Sequence, residues 1–422
     1  MIDMRQVTGA IFLVVSALRM TGGVPPLAAA SPSQSAQSRS SEAILPFRIN
    51  VPNAVLADLN ERLARTRFPS EIDGAGWDYG TNLAYMKELV TYWRTKFDWR
   101  EQERRLNQLP QFKTTIDGVE VHFVHQRSSR SGATPLVFIH GWPGSFVEVT
   151  KIIGPLTEPA AHGGRAEDAF NVVALSLPGY GFSGKPTQPG YSNRRIAGII
   201  AQLMARLGYS RYGAQGGDWG GFIVRQLGLV DPNHLIGLHS NFCVAANSPG
   251  GANPNEGVPP EELRRIDANR GKAANETAYS QLQGTKPQTL GYSLNDSPAG
   301  LAAWIVEKFR TWSDSDGNVE KHFTKDELLT NIMIYWVTET GPSSVRLYYE
   351  NRKDPGLQGR VEVPFACARF PGEFLFNSSR KSVEASYNVQ QYTEMPRGGH
   401  FAALEEPELL VNDVREFFRG RR

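Results

Sequence analysis

The sequence predicts an α/β protein built on a mostly parallel sheet, with a helical module ahead of it and a helical insertion within it. Three observations carry this prediction. Past Pro110, short β-rich runs alternate with helical stretches. The turn Gly216-Gly217-Asp218-Trp219-Gly220 joins one of those strands to one of those helices. After about residue 245 the alternation gives way to a helical, aromatic-rich stretch, and strand signals resume near Val361.

Arg5 precedes an apolar run, Thr8 to Leu18, followed by Gly22-Gly23, Pro25-Pro26 and Ala28-Ala29-Ala30. Residues 1–30 therefore read as a signal peptide, which implies a secreted or periplasmic protein. The rival is an uncleaved membrane anchor, although the run is shorter than the roughly 20 residues a spanning helix needs. Residues 31–44 read as a linker, since Ser31 to Ser41 is Ser/Gln/Ala-rich and lacks large apolar side chains.

Helical spacing of Val55, Leu56, Leu59 and Leu63, repeated over Leu83 to Phe97, predicts a helical module over 45–110. Strands are expected at Val119 to Val124, Pro135 to Ile139, Asn171 to Leu177, Tyr212 to Gln215 and Leu235 to Val244. The helices between them are expected over Asn193 to Leu207 and Trp219 to Val230. These make up the first part of the core, 111–245. A cap follows over 246–355. The second part, 356–422, has strands at Val361 to Ala368 and Tyr392 to Pro396, then a closing helix at Pro407 to Phe418.

With 422 residues, 40% of them hydrophobic, the chain can bury one large core and a smaller appended unit. Its 45 basic and 43 acidic residues leave a net charge of +2, too little to recruit nucleic acid, so a small apolar ligand fits better. Cys243 and Cys367 lie in apolar strand-like segments and read as free buried thiols rather than as a disulfide. No Cys-x-x-Cys or His-Glu-x-x-His spacing occurs, so neither a metal nor a cofactor is expected. Composition leaves homo-oligomerisation open.

A strand, then Gly-x-nucleophile-x-Gly, then a helix makes a tight elbow that lifts the central side chain clear of the sheet, as in the α/β-hydrolase fold. Here that residue is Asp218, and no Gly-x-Ser-x-Gly occurs to support an ordinary esterase. A carboxylate is ionised near neutral pH and attacks an electrophilic carbon without help from a base. Substrates with a strained or good leaving group, epoxides or alkyl halides, suit it. The plainer alternative is that Asp218 merely caps the following helix.

The order nucleophile, acid, histidine in this fold points to two further residues. His400, in Arg397-Gly398-Gly399-His400-Phe401, follows the last strand signal and is the expected base for a water attacking the Asp218 ester. Glu373, in the turn after Val361 to Ala368, is the expected acid that orients it. The loop His140-Gly141-Trp142-Pro143-Gly144-Ser145 follows an earlier strand. It offers the Trp142 N–H as an oxyanion-hole donor, with the Trp219 N–H as the second. His140 itself reads as structural.

Together, the 140–145 loop, the 216–220 elbow and the 397–401 turn resemble the microsomal-type epoxide hydrolases, a family that includes the juvenile hormone epoxide hydrolases. The resemblance runs from about Pro46 to the C-terminus and includes the cap stretches 283–287 and 294–298. It implies an α/β-hydrolase fold with a helical cap and an N-terminal helical module. It also implies an epoxide and water as substrates, a covalent ester on Asp218, and Glu373 as the relay acid. Two cap tyrosines that hold and protonate the epoxide oxygen would be Tyr279 and Tyr348, with Tyr349 the adjacent alternative for the second. The chain departs from the membrane-bound members at its N-terminus, which weakens the expectation of membrane association. In a eukaryotic host, Asn275-Glu276-Thr277 and Asn377-Ser378-Ser379 would match glycosylation acceptors.

Two rival functions follow from the same residues. A haloalkane dehalogenase would use the same aspartate, histidine and acid but would hold a halide rather than protonate an oxygen. A non-catalytic binding protein would keep only the fold as a pocket.

Overall fold

A computed structural model describes residues 42–245, 256–375 and 378–421. The leader and the linker up to Ser41, as well as Asn377, lie outside the described residues. Asn275 is exposed at the end of a cap helix.

Among the described residues, nine strands form one sheet in the order β1-β2-β3-β5-β4-β6-β7-β8-β9. They are β1 (Leu45–Phe47), β2 (Gln111–Ile116), β3 (Val119–Gln126), β4 (Thr134–Ile139), β5 (Phe170–Leu175), β6 (Tyr212–Gly216), β7 (Leu235–Ser240), β8 (Val361–Arg369) and β9 (Tyr387–Glu394). The first three pair antiparallel, and β3 meets β5 antiparallel; from β5 across to β9 every pairing is parallel. Strands β6 and β7 are buried along their whole length, as parallel strands covered on both faces must be.

The N-terminal module holds α1 (Asn53–Ala64), α2 (Leu83–Thr95) and α3 (Trp99–Leu106). Their apolar stripes bury Leu59, Leu63, Met86, Leu89, Val90 and Trp93. The module is not purely helical, because β1 leaves the predicted linker and module boundary to pair with β2. At three residues, β1 is too short to show a period.

Within the core come α4 (Ile153–Thr157), α5 (Asn193–Arg206) and α6 (Trp219–Val230). Between β7 and β8 the chain inserts α7 (Pro260–Ala274), α8 (Ala278–Thr285), α9 (Pro287–Asp296), α10 (Pro298–Trp312), α11 (Lys325–Val337) and α12 (Gly341–Lys353). Helices α13 (Arg380–Ser386), α14 (Ala402–Glu405) and α15 (Pro407–Phe418) complete the chain.

The insertion is tied down on two sides. From the core, the Asn331 amide donates to the Pro143 carbonyl at 2.7 Å, Tyr335 donates to Gly144 O at 2.5 Å, and Ser343 donates to Gly179 O at 2.6 Å. From the module, Tyr92 donates to Asp326, Thr81 to the Ala303 carbonyl and Arg62 to Asp296. These contacts hold α11 over the loop that follows β4 and α12 against the loop that follows β5.

Two expectations need correction. Cys243 and Cys367 are not free thiols but form a disulfide between positions 124 residues apart. Register explains it: Ser240 pairs with Cys367, so the chain leaving β7 runs beside β8 and brings the two Cα atoms to 5.8 Å. Strand β9 begins at Tyr387 rather than Tyr392, because it is a half-exposed edge strand whose polar residues mask the alternation.

Candidate active site

Asp218 stands at the elbow between β6 and α6 with φ 51° and ψ −126°, a conformation costing on the order of 1–3 kcal/mol that packing must hold in place. The turn closes so tightly that a Cβ on Gly220 would lie 2.0 Å from the Ile139 carbonyl oxygen. A Cβ on Gly141 would lie 2.1 Å from Asp218 Oδ1, so glycine is needed for the loop after β4 to approach the carboxylate.

That approach places the Trp142 N–H 2.8 Å from Asp218 Oδ1. The Trp219 N–H opens α6, where helix geometry leaves amides without intrahelical acceptors, and the helix start favours the negative charge behind it. Of the two backbone donors named from the sequence, the Trp142 N–H reaches the carboxylate, and the Trp219 N–H belongs to the next residue in the chain. Nearby, His140 is held down to a pKa of about 4 by burial, contacts the Gly141 carbonyl through Nδ1 and accepts the Leu177 N–H at Nε2. It braces the loop as a neutral ring.

On the other side of the carboxylate, His400 Nε2 lies 3.3 Å from Asp218 Oδ2, and its Nδ1 lies 2.5 Å from Glu373 Oε2. Glu373 Oε1 accepts the Leu375 N–H at 2.7 Å, which leaves the other oxygen to the imidazole. Burial alone would lower the His400 pKa, but Glu373 and Asp218 together raise it well above its usual value. The three residues come from three separate loops at the same end of the parallel strands.

Residues the sequence did not single out hold this arrangement. Glu405 on α14 accepts the N–H groups of Gly399, Phe401 and Asp314, fixing the backbone on either side of His400. The Asn241 amide contacts the His400 carbonyl and accepts from Gln215. Trp312 packs edge-on against His400 at a centroid distance of 5.0 Å. Glu405 follows His400 closely and could have been found by asking what caps that turn; Asn241 and Trp312 carry no local signal.

The cap brings both tyrosines over Asp218. Tyr279, on α8, stacks on Trp142 with centroids 5.3 Å apart. Tyr348, on α12, sits edge-on to Trp219 at 4.7 Å and to Tyr279 at 5.7 Å. Tyr348 is buried whereas Tyr349 points outward at 37% exposure, which decides between the two adjacent positions. The Tyr348 hydroxyl is buried and within weak hydrogen-bonding reach of the Tyr279 phenol alone. Burial, reinforced by the Asp218 charge, raises both phenol pKa values. The phenols are thus kept protonated beside an anion. Among the described residues no cluster of histidine, cysteine or carboxylate side chains suits a metal ion.

Comparison with known proteins agrees with this geometry. Residues 44–149 match the family model described as the epoxide hydrolase N terminus, and 134–364 match the alpha/beta hydrolase fold. A protein of Stigmatella aurantiaca is 45% identical over 380 residues, 90% of this chain and 86% of its own length. Epoxide hydrolase 1 of Sus scrofa is 40% identical over 403 residues, 89% of this chain and 88% of that protein. The crystal structure of juvenile hormone epoxide hydrolase from the silkworm Bombyx mori superposes with a TM-score of 0.84 at 33% identity, covering 92% of this chain and 97% of that one. The chain belongs to the microsomal-type epoxide hydrolase family of the α/β-hydrolase fold.

Proposed function

We propose that this protein hydrolyses epoxides to vicinal diols through an ester on Asp218. The observation that carries the reading is the placement of one carboxylate between a His400–Glu373 pair and two phenols, the buried Tyr348 and the partly buried Tyr279.

In the first step Asp218 Oδ2, the oxygen not held by the Trp142 N–H, attacks an oxirane carbon. The ring C–O bond breaks, its electron pair goes to oxygen, and that oxygen takes a proton from Tyr279 or Tyr348 while the other phenol donates a hydrogen bond. Forming the ester removes the Asp218 charge that disfavours a phenolate, so the proton transfer and the alkylation assist each other. In the second step His400 takes a proton from water, and the oxygen attacks Cγ of the ester. The Trp142 and Trp219 N–H groups take the charge that develops on Oδ1. Collapse releases the diol, whose oxygen takes the proton from His400, and the proton left on the Asp218 carboxyl returns to the phenolate formed in the first step, restoring carboxylate and phenol.

Product analysis tests the reading. Diol should form from terminal, trans-disubstituted or terpenoid epoxides. Halide release from alkyl halides with no diol from any epoxide would instead support the dehalogenase reading.

Export through the N-terminal leader is part of the proposal and draws support from the Cys243–Cys367 disulfide, a bond typical of oxidising compartments. N-terminal sequencing of the protein recovered outside the cytoplasm tests it; a mature chain that retains Met1 to Ala30 would refute cleavage.

A further inference from the structure

The interior of the site holds one more carboxyl group, which the two steps above leave unused. Glu148 lies on the short 3-10 turn Phe146–Lys151, directly after the loop that carries Trp142. Its side chain folds back over that loop, since a Cβ on Gly144 would lie 1.7 Å from Glu148 Oε1. Glycine at 144 therefore makes room for this carboxyl.

Glu148 is enclosed by protein, between the buried Val147 and Val149, yet keeps part of its accessible surface. Among the described residues no protein group hydrogen-bonds its carboxyl. Burial raises its pKa to about 8, with His400 and Asp218 both in electrostatic reach, so near neutrality the carboxyl is mostly protonated and can donate as well as accept. Other polar atoms nearby also lack partners. Asn331 Oδ1 is buried and unpaired although its amide nitrogen is bound to Pro143 O, and the Tyr180 hydroxyl is buried and unpaired close enough to feel the Asp218 charge. Interior space lined by unpaired polar groups is where ordered water resides.

We propose that Glu148 holds the hydrolytic water, taking one of its hydrogen bonds while His400 takes its proton, and so aims the oxygen at Cγ of the Asp218 ester. Glu148 ends the step in the protonation state in which it began. The inference rests on the ester mechanism proposed above and assigns Glu148 to its second step alone.

Single-turnover measurement of alkylation and of ester hydrolysis, with intact mass recording the ester, tests this in Glu148→Leu and Glu148→Gln. A misplaced attacking group costs about 100-fold, so Glu148→Leu should slow hydrolysis by roughly that factor and accumulate the ester, with alkylation changed less than about threefold. Glu148→Gln keeps the size and the hydrogen-bonding capacity and should recover hydrolysis to within about tenfold of wild type. Unchanged hydrolysis in Glu148→Leu, an equal fall in both steps, or a glutamine variant as slow as the leucine one would overturn the proposal. His400→Gln is the control. If it forms no ester mass, the Asp218 reading itself fails; if it does while Glu148→Leu hydrolyses normally, only the role of Glu148 falls.

Discussion

His400 Nδ1 and Glu373 Oε2 lie 2.5 Å apart, both side chains almost wholly buried, with the far side of the imidazole turned to Asp218. The glutamate holds the Nδ1–H and turns Nε2 toward the carbon that water must attack; the Asp218 charge that helps keep the ring protonated is lost in the ester, which frees Nε2 to act as base.

From this relationship the two halves of the reaction separate. Asp218→Ala should lower turnover by at least about 10⁴-fold, the scale on which removing a nucleophile acts, while melting temperature changes little, since alanine keeps the Cβ and so the same strained elbow. His400→Gln should still form the ester and stall there. Intact mass spectrometry after mixing with styrene oxide reads this as added mass on His400→Gln and none on Asp218→Ala; full diol-forming activity in Asp218→Ala would end the mechanism.

The same pair makes a prediction about pH and stability. His400 has a folded-state pKa raised well above the ordinary value of about 6.5, so its charged form stabilises the fold. That contribution is fully present below about pH 6.5 and is lost as pH rises through the raised folded-state value. Denaturant unfolding of wild type and His400→Gln between pH 5 and the alkaline range should show a gap that is widest at the acid end and narrows upward. A gap that widens with pH would contradict the assigned charge state.

The cap tyrosines should divide activity from stability. Tyr279→Phe and Tyr348→Phe should each slow alkylation by about 10²-fold, the scale of losing one donor to a developing oxyanion, and the double variant should be slower still. Because the buried Tyr348 hydroxyl meets only the Tyr279 phenol, in weak geometry, Tyr348→Phe should change stability by less than about 1 kcal/mol. Stopped-flow alkylation and thermal unfolding on the same preparations check both. A Tyr348→Phe variant destabilised by more than that would mean that the hydroxyl has a stronger partner in solution.

Loss of the Cys243–Cys367 bond should be felt in folding more than in chemistry. It closes a span of 124 residues that includes the whole cap, for which chain entropy gives a stabilisation of about 5 kcal/mol. The Cys243→Ala/Cys367→Ala double variant should unfold at markedly lower denaturant, while turnover at low temperature stays within a few-fold of wild type. Equal denaturation midpoints would show that the bond adds nothing to stability.

The chemistry-bearing loops were legible in the sequence because each is a short local pattern. Gly216 to Gly220 must turn tightly whatever surrounds it, Glu373 follows the apolar run of β8, and His400 sits in a glycine turn just ahead of the closing helix. The core helices at Asn193 and Trp219 were equally plain from their stripes. Strand β1, the start of β9 and helix α3 were not, since an edge strand or a very short element satisfies its backbone without a full apolar face.

By itself the sequence determined the fold class and singled out Asp218, His400 and Glu373 as candidate nucleophile, base and relay acid, since backbone geometry and chain order constrain those positions locally. Tertiary structure decided what depends on distances between segments far apart in the chain. It turned Tyr348 inward and Tyr349 outward, brought Cys243 beside Cys367 through the register of β7 and β8, and enclosed Glu148 near His400. In each case the outcome depends on how one element packs on another, and no local run of residues records that.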